Sequence, residues 1–226
     1  VAETIELKTA DGAKIGAYKA IPDSVPKGGI VVVQEIFGVN HHIRAVADRF
    51  AAEGYLTISP AIFDRAEKGV ELAYDDAGMT RGMALAKKIS PDQYFLSIEA
   101  TIEALATAGP IGIVGFCLGG TLAFAAAARS EFLSAAVGYY GGGIADMAGA
   151  ELNCPVALHF GTKDPHIPAA DVEKIKAAYP EVPVYTYPAG HGFNCDERGS
   201  YDQPSAALAW TRTLSFLEHN FGVGAL

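Results

Sequence analysis

The feature that most constrains this chain is a repeated pairing. A short, fully apolar run is followed by a glycine-bearing loop and then by a segment with helical spacing. Gly29–Gln34 holds Ile30-Val31-Val32-Val33, a continuous β-branched stretch. Such a stretch suits a strand covered on both faces, as in a parallel sheet. Ile43–Ala52 follows with apolar residues at helical spacing and Gly54 as its terminator. The pattern recurs: strands at Tyr55–Ser59, Ile111–Gly115, Ala135–Tyr140, Pro155–Phe160 and Val182–Tyr187 alternate with helices at Met79–Ile89, from Ser90-Pro91-Asp92 to about Ala108, Thr121–Ala128, Ala169–Ala178 and Ser205–His219. Ala61–Tyr74 reads as loop, a helix beginning near Glu71 being the alternative. Glu3–Lys8 and Lys14–Lys19, around Asp11-Gly12, read as an opening hairpin. The expected fold is α/β, with a mostly parallel central sheet and helices on both faces, and ligands beyond the carboxyl ends of the strands. No repeat or linker interrupts residues 1–226, so a single domain is expected.

Composition excludes several classes. A net charge of −9 argues against nucleic acid, which requires a basic footprint. No apolar run approaches the ~18 residues of a membrane span, and Val1–Thr9 shows no signal-peptide pattern. Three cysteines, Cys117, Cys154 and Cys195, form no disulfide framework, so a reducing, cytoplasmic setting is expected. No HExxH or Cys/His spacing calls for a metal, and no cofactor is expected.

The chemistry-bearing signal is Gly115-Phe116-Cys117-Leu118-Gly119-Gly120, between a strand and an Ala-rich helix. This is the nucleophile-elbow pattern G-x-S-x-G with Cys for Ser. The turn projects the sulfur above the sheet at the positive end of a helix, which favours a thiolate. An elbow requires an acid and then a histidine later in the chain. Asp164, in Phe160-Gly161-Thr162-Lys163-Asp164, and His191, in Pro188-Ala189-Gly190-His191-Gly192-Phe193, each follow a strand's carboxyl end. Imidazole takes the thiol proton and the carboxylate fixes its tautomer. The backbone amides of Ile36 and Leu118 are the oxyanion-hole candidates. Glu35, near the elbow, is a second candidate acceptor for the thiol proton. Of the other histidines, His41 and His42 read as solvated, His159 as a core residue, His166 as a neighbour of Asp164, and His219 as the end of a helix.

The segments Gln34-Glu35-Ile36-Phe37-Gly38-Val39-Asn40, Gly115-Phe116-Cys117-Leu118-Gly119-Gly120, Val137-Gly138-Tyr139-Tyr140-Gly141, Asp164 and Ala189-Gly190-His191 resemble, in order, those of the dienelactone hydrolase (carboxymethylenebutenolidase-like) family, an α/β-hydrolase group. The resemblance implies a Cys-Asp-His triad, activation of the thiol by Glu35, and pocket roles for Phe37, Tyr74 and Tyr140. The expected partner is a small ester or lactone, with no nucleic acid or membrane, and a monomer is expected, a homodimer being the alternative. The family's two arginines for a substrate carboxylate would fall at Val70 and Cys195, neither of which forms a bidentate pair with a carboxylate. Arg81, ahead of Arg65 and Arg198, is the candidate substitute. A broad carboxylesterase or thioesterase is the rival activity. A non-catalytic redox sensor or binding protein using Cys117 is the rival class.

Overall fold

The computed structural model describes residues 1–223. The strands and helices lie in two compact units, residues 1–113 and 114–226. The first opens with β1 (Ala2–Lys8) and β2 (Lys14–Ala20), an antiparallel pair that sets Leu7 opposite Ile15. Gly12, at φ +84°, makes the turn that a side chain would strain. β3 (Gly29–Val33) is buried along its whole length, as its β-branched run requires. It pairs in parallel with β4 (Leu56–Pro60), and β4 pairs antiparallel with β2. The strand order here is β1-β2-β4-β3.

Three helices belong to this unit. Asn40 caps α1 (His41–Ala52), whose buried stripe is His42, Ile43, Val46, Ala47 and Phe50. His42 therefore corrects the solvated reading. It precedes Val46 and Phe50 by one and two helical turns and lies on their face, while His41 is exposed. Asp75 caps α2 (Asp76–Ala86), three residues ahead of the expected start, and a 3-10 turn occupies Ile62–Arg65 in the expected loop. Ser90 and Gln93 close a capping box on α3 (Pro91–Ala104), with Pro91 in its first turn.

In the second unit the order is β5-β6-β7-β8. β5 (Ile111–Phe116), β6 (Ala135–Tyr139) and β7 (Val156–Gly161) are buried throughout. β7 runs parallel to β6 and to β8 (Val184–Tyr187), aligning Tyr139, His159 and Tyr185 across three strands. α4 (Leu118–Arg129) packs on β6. α5 is Ala169–Ala178, and α6 (Gln203–Phe221) lies on β6 and β7, ending at left-handed Gly222. Among the described residues, no helix is long and apolar enough to cross a membrane.

Candidate active site

β5 ends at Phe116 and α4 begins at Leu118, leaving Cys117 alone to turn the chain. It does so at φ +56°, a conformation that costs a non-glycine residue of order 1–3 kcal/mol. Tyr140, at φ +38°, is the other non-glycine residue with positive φ among those described. The glycines make the turn feasible. A Cβ on Gly115 would lie 1.8 Å from the Gly119 oxygen, and one on Gly120 would lie 2.4 Å from the Tyr139 oxygen. The Cys117 amide donates to Tyr139 O at 3.0 Å, which ties the elbow to the end of β6. Leu118 heads α4, where the first amides have no partner within the helix and the dipole is positive.

The acid and the histidine lie on the loops after β7 and β8, and the backbone ties those loops together. Thr162 N donates to Tyr187 O at 2.7 Å and Lys163 N to Ala189 O at 3.0 Å. Gly161 permits this approach, since its Cβ would stand 2.2 Å from Ala189 O. His191 Nδ1 lies 2.7 Å from Asp164 Oδ2, and the other carboxylate oxygen accepts the His166 amide at 2.8 Å. The second ring nitrogen is left for the hydrogen bond between His191 and the Cys117 sulfur. Burial pulls the His191 pKa down, but the hydrogen bonds and charges of Asp164 and Cys117 overcome it and raise it to about 10. Burial pushes the Asp164 carboxyl up, and His191 with His166 outweighs it, leaving Asp164 below its usual range. The Tyr140 ring stands 5.1 Å from that of His191, and His166 meets His191 edge-on at 5.2 Å.

The first unit assembles the other candidates. Glu35 is fully buried, and Ile36 follows it at intermediate exposure. The Phe37 ring lies 4.6 Å from Tyr74. Asn40 caps α1 through its oxygen and donates through its amide to Tyr74 Oη at 2.9 Å. Leu72 N donates to Phe37 O at 2.9 Å, so residues 70–74 clasp the loop after β3. α2 closes on that loop as well: a Cβ on Gly82 would lie 2.0 Å from Ile36 O.

The three arginines have separate surroundings. Arg81 is exposed and paired with Glu67. Arg65 is nearly buried, against Asp11 at 2.7 Å and Ser97 at 3.0 Å. The Arg198 guanidinium packs on Gly192, next to His191; a Cβ there would stand 2.5 Å from Nη1. Val70, Cys154 and Cys195 are buried. No sequence signal points to the Arg198 placement or to the Asn40–Tyr74 bond. Asn40 carried a visible signal only as a helix cap.

A strained strand-to-helix turn, followed along the chain by an acid and a histidine on the loops after β7 and β8, places the protein among the α/β hydrolases. The comparisons narrow this. The dienelactone hydrolase family profile matches residues 15–221. The carboxymethylenebutenolidase of Pseudomonas putida is 32% identical over 226 residues, covering 95% of each chain. A Klebsiella pneumoniae subsp. pneumoniae structure assigned as a dienelactone hydrolase is 31% identical, covers 99% of both chains and has a TM-score of 0.85. The Pyrococcus furiosus esterase Pf2001, at 16% identity, 97% and 92% coverage and TM-score 0.71, shares the fold. The chain belongs to the dienelactone hydrolase family, and is a hydrolase acting on esters or lactones.

Proposed function

We propose that Cys117 is the nucleophile of a Cys-His-Asp triad that cleaves a small carboxylic ester or lactone. The observation that carries this reading is the continuous link from Asp164 Oδ2 to His191 Nδ1, at 2.7 Å, and from that ring to the sulfur of a residue held at positive φ. The sulfur adds to the carbonyl carbon. The oxyanion takes the Leu118 amide and, on the strength of the family resemblance, the Ile36 amide. His191 gives its proton to the departing oxygen as the carbon–oxygen bond breaks, leaving a thioester on Cys117. Water then adds to that thioester with His191 taking its proton, and the acid product leaves as the thiol is restored.

The electrostatics favour a change of role within this cycle. Beside a charged sulfur, His191 holds its proton, because Asp164 and Cys117 both raise its pKa. Acylation removes the charge on sulfur, and with it that part of the elevation, so the ring becomes a base for the attacking water. Glu35 is assigned to thiol activation, and Phe37, Tyr74 and Tyr140 to the pocket. With Val70 and Cys195 at the family's arginine positions, an uncharged ester avoids a carboxylate buried without a partner. Arg81 is retained as the substitute cation, though engaging a substrate would require it to leave Glu67.

The test is a panel of an aryl acetate, an enol lactone and a thioester, assayed with wild type and Cys117→Ala. Turnover of the ester and lactone that is lost in Cys117→Ala is expected; Cys117→Ser should retain only weak activity. Wild-type rates in purified Cys117→Ala overturn the proposal, and a marked preference for the thioester moves the assignment to a thioesterase.

A further inference from the structure

Behind the triad loops lies a second histidine that the proposed chemistry does not use. His159 sits in the middle of β7 and is completely buried, with both ring nitrogens engaged. Nδ1 lies 2.8 Å from Tyr187 Oη and Nε2 lies 3.1 Å from Thr213 Oγ1. Thr213 Oγ1 in turn lies 2.6 Å from Tyr139 Oη. The ring is stacked between Tyr139, at 4.4 Å, and Tyr185, at 5.3 Å. Arg212 donates to Tyr187 Oη at 3.2 Å and covers the Tyr185 ring at 4.3 Å. Because the phenol oxygen accepts from Arg212, its own proton is available to Nδ1, and Nε2–H then faces Thr213. Burial and the Arg212 charge push the His159 pKa down to about 3, so the ring stays neutral, as one donor and one acceptor require.

The ends of this chain of bonds are the last residues of β6 and β8. Tyr139 ends β6, and its carbonyl receives the Cys117 amide. Tyr187 ends β8, and its carbonyl receives the Thr162 amide on the Asp164 loop and the Ala189 amide on the His191 loop. His159 itself stands two residues before the end of β7, the strand that leads to Asp164. The strand ends that deliver acid and base, and the β6 end that receives the Cys117 amide, are thus joined side chain to side chain through one imidazole.

We infer that His159 is a positioning residue of the reaction: through Tyr187 and through Thr213 with Tyr139, it holds the His191, Asp164 and Cys117 loops in mutual register. This rests on the triad reading above. A buried apolar residue at position 159 would fill the space but could not fix a distance across three strands. Two directional bonds do, and misplacement by about 1 Å lowers rates by as much as about 100-fold.

The test removes each bond without changing shape, with Tyr187→Phe and Thr213→Val, both assayed well below their own melting temperatures. The readouts are single-turnover acylation, KM, and the NMR titration of the His191 ring. The expected result is an acylation rate down about tenfold in each variant, KM within about twofold, a shifted His191 midpoint, and return toward the wild-type rate in Thr213→Ser. Should Thr213→Val fail to fold, Tyr187→Phe alone carries the comparison. Wild-type acylation and an unmoved His191 titration, with only the melting temperature lowered, overturn the inference and leave His159 a packing residue. Cys117→Ala run alongside separates the two claims. Activity retained there overturns the triad and the inference together, whereas an inactive Cys117→Ala beside wild-type-like network variants overturns the inference alone.

Discussion

Replacing Asp164 with Asn preserves the shape of the side chain and removes its charge. In the wild type, His191 is raised from 6.5 to about 10. At 1.36 kcal/mol per unit this corresponds to about 5 kcal/mol of preference for the imidazolium, net of burial and shared between Asp164 and Cys117. A charge-assisted hydrogen bond contributes roughly 1.5–3 kcal/mol, so Asp164→Asn should lower the His191 midpoint by about one to two units. An Asn amide that donates to Nδ1 also selects the wrong tautomer, and kcat should fall by about three to four orders of magnitude. Steady-state kinetics together with a titration of isotope-labelled His191 measure both effects. Stability should follow the same pair. The contribution of a raised His191 is complete below its ordinary pKa and is lost as pH rises through about 10. The contribution of a lowered Asp164 is lost as pH falls through its depressed pKa. The deficit of the variant should therefore be largest in mildly acid solution, just below pH 6.5, shrink as pH rises from there, and vanish above pH ~10. A His191 midpoint that does not move, or a kcat within about tenfold of wild type, would refute this reasoning.

Three further outcomes are expected. Gly115→Ala should cost about 3 kcal/mol or more in urea unfolding, because its Cβ would stand 1.8 Å from the Gly119 oxygen; a loss under ~1 kcal/mol contradicts the close approach. A methyl ester should be cleaved at least as well as its free acid, by wild type and Arg81→Ala alike; a strong preference for the acid that disappears in Arg81→Ala would establish Arg81 as the carboxylate partner instead. Acid should destabilise the fold as pH falls from about 6.5 towards 3, because His159 is neutral when folded and takes up a proton when unfolded. His159→Gln should remove up to about 1.4 kcal/mol per pH unit from that slope, and an unchanged slope counts against a neutral buried ring.

What was legible in the sequence was local. The elbow could be read because its constraint is a backbone constraint: Gly115 and Gly120 sit where the crossing of strand and helix excludes a Cβ. β3 was legible as a run with no polar residue to break it, and Asp164 and His191 as residues just past strand ends. The start of α2 is hidden in the sequence because Asp75-Asp76 resembles loop, and only the structure shows Asp75 accepting the Gly78 amide. His42 reads as solvated because its polarity masks its place on the Val46–Phe50 stripe. The His159 network was out of reach in principle. Its partners lie 28 and 54 residues away, and no spacing rule connects them. The same holds for Tyr74 on Asn40, 34 residues apart.

The central claim is that the acyl group passes through the Cys117 sulfur. A slowly deacylated aryl ester, acid-quenched during the initial burst and followed by intact and peptide mass spectrometry, tests it directly. The account predicts one acyl addition per chain, confined to the peptide bearing Cys117, released by hydroxylamine, and absent in Cys117→Ala together with the burst. Turnover with no adduct at Cys117, undiminished in Cys117→Ala, would contradict it.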